Sequence, residues 1–70
     1  MADIPLAPLE RILRKSGIER VSEEATEALR DILEKQAVII GKSAARLAKH
    51  AGRVTIKAED IRLAQDYDKK

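Results

Sequence analysis

Apolar residues recur through the middle of the chain at Ala25, Leu29, Ile32, Leu33, Ile40, Ala44, Leu47, Ala48 and Ala51. Steps of three and four residues are the period of a helix with one buried face; a strand would alternate every second residue. Between Ser22 and Gly52 there is no proline, and Gly41 is the only glycine. Ser22 offers an oxygen to cap the first turn, Glu23 and Glu24 place negative charge at the helix start, and Gly52 suits the left-handed position just past the end. The pattern predicts one continuous helix roughly 40 Å long at 1.5 Å per residue. The flanking segments are too short to cover its apolar face. Part of that face must find its partner on another chain.

Ahead of this helix, residues 1–4 read as a loose tail. Pro5 stands where a first helix begins, with Asp3 or Ile4 near its cap. Pro8 is still within the first turn, where a missing N–H removes no helical bond. Leu6, Leu9, Ile12 and Leu13 form one apolar face, with Arg11, Arg14 and Lys15 largely off it, and Ser16-Gly17 stops the helix. A connector from Ile18 to Val21 carries Arg20. Past Gly52, Arg53-Val54-Thr55-Ile56 is a short β-favouring run, and the two connectors would pair as brief strands if brought side by side. Lys57-Ala58-Glu59-Asp60 opens a third helix with Ile61, Leu63 and Ala64 on its apolar side, fading into a polar tail over residues 66–70. The predicted architecture is all-α: short helix, long helix, short helix, in a single domain spanning residues 1–70.

Composition sharpens the need for a partner. A chain of 70 residues builds one small core, usually worth no more than ~3–5 kcal/mol unless something staples it. There is no cysteine, and a single histidine, His50, makes no metal site by itself. The apolar fraction of 44% is almost all aliphatic, with Tyr67 the one aromatic residue, which suits close helix–helix packing. Oligomerisation is therefore the expected stabiliser. The lack of cysteine, of an apolar leader and of any run long enough to span a membrane makes the cytoplasm the expected location.

Net charge is only +2, but it is unevenly spread: residues 1–36 sum to −2 and residues 37–70 to +4. Acidic groups near a helix start and basic ones (Lys42, Arg46, Lys49) near its end complement the helix dipole, a sufficient reason for part of this asymmetry. Arg20, Arg53 and Lys57 at the connectors read, taken singly, as solvated loop charge. Brought together by paired connectors, they would join free backbone amides in a cluster of the kind that binds phosphate. His50 near a helix end reads as a surface or capping residue. It shares a face with Leu47, as Asp60 does with Leu63, and the four together make a small self-complementary patch. Nothing supports catalysis: there is no nucleophile beside a base, no phosphate-binding glycine loop and no ligand cluster.

This arrangement resembles the archaeal histones along essentially the whole chain. The resemblance rests on Ile4-Pro5-Leu6-Ala7-Pro8, on Glu19-Arg20-Val21-Ser22, and above all on the block from Leu47-Ala48-Lys49-His50-Ala51-Gly52-Arg53 into Thr55-Ile56-Lys57-Ala58-Glu59-Asp60-Ile61. It implies the histone fold, in which two chains clasp head to tail as an intertwined handshake dimer. It also implies that Arg20 enters the minor groove of duplex DNA with Thr55 holding it, and that the backbone around Val21-Ser22 and Thr55-Ile56 meets phosphate. Arg11 matches a DNA-contacting position, with Arg14, Lys15, Arg53 and Lys57 adding charge. Leu47, His50, Asp60 and Leu63 match a dimer–dimer interface, Arg53 and Asp60 an intrachain ion pair, and Gly17 a position suited to stacking of dimers.

Two features depart from that pattern. Val54 stands where many relatives carry lysine, and Asp66-Tyr67-Asp68 is acidic where basic residues are common. The reading that follows is an architectural chromatin protein on the chromosome. Its dimers bind, wrap and compact duplex DNA without base-specific readout and add into tetramers or longer fibres, with no cofactor, metal, membrane or small-molecule substrate. The partner chain is a second copy or a paralogous histone. The alternative is a histone-fold module that dimerises with a different chain inside a larger complex, with weak DNA wrapping or none.

Overall fold

The computed structural model describes the backbone of residues 2–68 and the side chains of residues 2–66. Its three helices are α1 (Leu6–Arg14), α2 (Glu23–His50) and α3 (Ala58–Asp68). No strand occurs among the described residues, so neither connector forms a ladder within one chain. A strand needs a partner edge, and a single chain offers these connectors none.

The ends of α2 follow from their residues. Ser22 Oγ accepts a hydrogen bond from the Ala25 amide at 3.0 Å, and Glu23 and Glu24 occupy the first turn. At the other end Gly52 has φ +74, the Gly52 amide donates to Lys49 O, and the Arg53 amide donates to Ala48 O, both at 2.9 Å. This crossed pair of bonds absorbs the last carbonyls of the helix and needs a left-handed residue at position 52, which glycine adopts without strain.

The chain divides into two compact units, Met1–Lys35 and Gln36–Lys70, each holding about half of α2. In the first, α1 packs on the start of α2, and Leu6, Ala7 and Glu10 line a shallow groove with Glu23 and Thr26. Leu9 and Thr26 are buried there, and the Thr26 hydroxyl donates to Ser22 O at 3.3 Å. Pro5 is itself the N-cap of α1, with no side-chain cap. Asp3 and Ile4 serve another purpose: their amides both donate to Glu34 Oε2, at 2.6 and 2.8 Å. The segment expected to be loose is thus tied down from Asp3 onward. Gly17, at φ +104, ends α1 with its amide on Arg14 O.

In the second unit the buried apolar side chains are Ala44, Ala48 and Ala64. Small residues four apart on α2 and one on α3 allow the helix backbones to approach closely. Helix α3 runs to Asp68, further than the expected start of a loose tail at residue 66; Lys69 and Lys70 lie outside the described residues. Large aliphatic side chains fare differently from alanine. Ile12, Ile18, Ile32, Leu33, Val38, Ile39, Val54, Ile56, Ile61 and Leu63 are all at least 37% exposed. One chain buries its small residues and leaves most of its large ones bare.

Candidate nucleic-acid interface

The first connector, between α1 and α2, is shaped by local bonds. The Lys15, Ser16 and Gly17 amides close the end of α1 on Ile12, Leu13 and Arg14 carbonyls, and Ser16 Oγ adds a 2.7 Å bond to Leu13 O. After Gly17 the chain carries Ile18, Glu19 and Arg20, all exposed, then the half-buried Val21 and the capping Ser22. Among the described residues the Arg20 guanidinium has no hydrogen bond or ion pair, and the amides of Arg20, Val21 and Ser22 have no bonded partner. On α1, Arg11 and Lys15 are exposed, while Arg14 spends one nitrogen on Glu10 at 3.5 Å. That pair is a solvated contact one helical turn long and worth little.

The second connector, between α2 and α3, is wired around one carboxylate. Asp60 is buried, yet both its oxygens are satisfied. Arg53 Nη1 donates to Oδ2 and Nη2 to Oδ1, each at 2.9 Å, in a two-pronged clamp. The Lys57 amide also donates to Oδ2, at 2.8 Å, which makes Asp60 the third-residue half of a capping box at the start of α3. The remaining hydrogen of Arg53 Nη1 reaches Thr55 O at 2.9 Å. The Arg53 guanidinium and the Lys57 amide hold the Asp60 carboxyl down to about 2, and the same pair raises the Arg53 pKa.

This wiring divides the labour among the residues singled out from the sequence. Arg53 has three hydrogens committed within the chain, which makes it first a positioning residue for residues 53–57, with two N–H groups left over. The Lys57 amide is committed too, while its ammonium is exposed and takes part in no ion pair among the described residues. The Thr55 and Ile56 amides have no bonded partner among those residues, and both side chains are exposed. Val54, between Arg53 and Thr55, is 102% exposed, an aliphatic side chain pointing wholly into solvent. Each connector therefore presents at least one cation and a pair of unbonded backbone amides, the donor set that phosphate oxygens accept from.

The proposed self-association patch is less uniform. His50 is exposed, Leu63 is 44% exposed and Leu47 half-buried. Asp60 is not open in the same way: a group reaching it from a second molecule would have to share an oxygen already bonded to Arg53. Gly17 is explained by its own backbone, since φ +104 strains any residue with a Cβ, and an added Cβ would meet nothing within 4 Å. Asp66 is exposed on α3, whereas the side chains of Tyr67 and Asp68 lie outside the described residues. Two groups escaped the reading of the sequence. Glu34 gathers amides from 30 and 31 residues away, which no local pattern announces. Asp60 as a capping group was signalled by its place three residues after Lys57.

Among the described residues no three potential metal ligands come together, and no helix is long and apolar enough to cross a membrane. Residues 2–64 match the family described as histone-like transcription factor (CBF/NF-Y) and archaeal histone. The chain is 56% identical over 64 residues to the archaeal histone HAN1 of Thermococcus zilligii, covering 91% of this chain and 96% of that one. It is 47% identical over the same length and shares to a probable archaeal histone 3 of Methanocaldococcus jannaschii. Taken with the short–long–short order of helices, the match identifies the fold as the histone fold.

Proposed function

The chain belongs to the family of histone-like transcription factors and archaeal histones, and on that footing we propose that it is a DNA-binding chromatin protein whose working unit is a dimer. The observation that carries the dimer is the bare aliphatic surface. Ile32, Leu33, Val38 and Ile39 lie along the middle of α2 at 37–57% exposure, where an isolated globular chain would bury them. A second copy, or a paralogous histone, clasped across α2 removes that surface from water. The two units then form one domain, residues 1–70, through the helix they share.

The dimer binds duplex DNA through its connectors. Arg20 supplies the free guanidinium, the amides of Val21-Ser22 and Thr55-Ile56 meet phosphates, and Lys57, Arg11, Arg14 and Lys15 add charge. Arg53 acts by clamping Asp60 and holding residues 53–57 in shape. None of these groups is arranged to read base edges, so affinity follows phosphate spacing and the bendability of the duplex. Dimers add through Leu47, His50 and Leu63, with Asp60 at the patch edge and Gly17 at the close approach of stacked dimers, into tetramers and longer wrapped fibres on the chromosome.

The test is the salt dependence of duplex binding. Each neutralised phosphate contributes about 0.9 to the slope of log affinity against log salt, so a steep negative slope is expected. Arg20→Ala should weaken binding alike on unrelated duplexes and reduce the slope by about 1. A sequence-selective loss would contradict a backbone-reading mechanism. Nuclease digestion at rising protein concentration should protect a ladder of lengths if dimers add stepwise. A second reading has its own support: the fully exposed Val54 replaces a cation beside Arg53, and Asp66 adds negative charge on α3. On that reading the chain is a heterodimerisation module of a larger complex, and binding would be absent even at low salt.

A further inference from the structure

The side of α2 away from its apolar face carries two groups of three charges. Glu24, Glu27 and Asp31 belong to the first unit; Lys42, Arg46 and Lys49 belong to the second. Steps of three and four residues put each group on one stripe of the helix, spread over about 10 Å. All six side chains are exposed except Glu27, which is half-buried. Their internal contacts are slight: Arg30 Nε approaches Asp31 Oδ1 at 3.4 Å, and Arg46 Nη2 donates to Ser43 Oγ at 3.2 Å.

Two features of these triads are not explained by an isolated helix. Like charges three and four apart destabilise it, and each triad contains two such steps. The helix dipole accounts for Glu24 and Lys49, but it fades beyond the terminal turn, and Asp31 and Lys42 sit two turns in from the ends. What the triads do match is each other. Read in opposite directions, their spacings are identical, and the sequence is charge-reversed about a point between Gln36 and Ala37. Glu24 mirrors Lys49, Glu27 mirrors Arg46 and Asp31 mirrors Lys42. Lys35 and Val38, beside the centre, mirror one another and oppose no like charge.

We propose that this outward stripe of α2 is a docking surface for a second copy of the chain, lying antiparallel, with Glu24, Glu27 and Asp31 of one chain against Lys49, Arg46 and Lys42 of the other. Because the stripe lies away from the apolar face, the contact joins one dimer to another and goes beyond the DNA-binding reading. Duplex DNA would satisfy the basic triad but be repelled by the acidic one, which is why a second copy is the better fit. Such a contact is screened by salt and reversible.

Sedimentation velocity of the DNA-free protein tests this. At low salt the wild type should form species heavier than the dimer, returning to dimer at high salt. Reversing one triad, as Glu24→Lys/Glu27→Lys/Asp31→Lys or as Lys42→Glu/Arg46→Glu/Lys49→Glu, should weaken association by about tenfold or more. Mixing the two reversed proteins should restore it. Should either triple variant lose helix content, Asp31→Lys and Lys42→Asp, alone and mixed, put the same question at the central pair. A wild type that stays dimeric at low salt overturns the proposal, as does association untouched by reversal or unrestored by mixing. So does a basic-triad reversal that lowers DNA affinity while self-association persists. Monomer at every concentration would instead sink the dimer itself.

Discussion

The two units of the chain are held together by different means. In the first, one large aliphatic side chain, Leu9, is buried between α1 and α2, and Glu34 draws in the segment ahead of α1. In the second, nothing larger than alanine is buried among the apolar residues, and the connector is pinned by a buried carboxylate with every oxygen engaged. Burial of Leu9 supplies apolar area but little direction. Alanine contacts supply little area, so the angle at which α3 leaves α2 is set by the directional bonds of Asp60. The first unit should therefore be sensitive to lost volume, and the second to added volume and lost charge.

Leu9→Ala should have the largest effect, about 2–5 kcal/mol, because it removes buried methyl groups and leaves a cavity. Ala64→Leu in the second unit should destabilise by about 1–3 kcal/mol through overpacking, although it adds apolar area. Both are read from urea unfolding at one fixed protein concentration, since the stability of a dimer depends on it. If Ala64→Leu proved stabilising, the close approach of α2 and α3 inferred from Ala44, Ala48 and Ala64 would be wrong.

Asp60→Asn should come next, and its effect should depend on pH. The folded carboxyl titrates at about 2 against an ordinary value of 3.8. A lowered folded pKa means that the unfolded chain binds the proton first as pH falls. The stability Asp60 contributes is thus fully present above 3.8 and is lost as pH drops toward about 2. The variant should melt lower at neutral pH, and the gap to wild type should narrow across that acidic window. A constant gap down to the lowest pH would mean that the clamp acts through shape and not through charge.

Much of this was legible beforehand, and the reason differs by element. The three helices follow from periodicity, and the ends of α2 from residues whose chemistry admits few alternatives: a serine oxygen for free amides, a glycine for φ +74. The connectors were placed correctly, but the commitments of their side chains were not readable. Arg53 looked like a phosphate ligand, and only the geometry reveals that Asp60 and Thr55 take three of its hydrogens. Exposure was the other hidden quantity. Periodicity marks Ile32 and Leu33 as belonging to an apolar face but does not tell whether their own chain covers it.

Glu34 is the extreme case, because its partners are backbone amides and carry no sequence signature. The smallest of the expected effects belongs to it. The Ile4 and Asp3 amides lower the Glu34 pKa below its ordinary value of 4.5, so the tether is intact above that value and weakens as the carboxylate is protonated below it. Glu34→Gln imitates the protonated form at neutral pH. Exchange of the Ile4 amide should then accelerate severalfold toward that of an unprotected residue, while the melting temperature barely moves. The Arg53 amide, bonded to Ala48 O in the other unit, serves as the internal control and should keep its protection. If both amides accelerated together, Glu34 would be supporting the whole fold, and the separation of a tethered first unit from a clamped second one would fail.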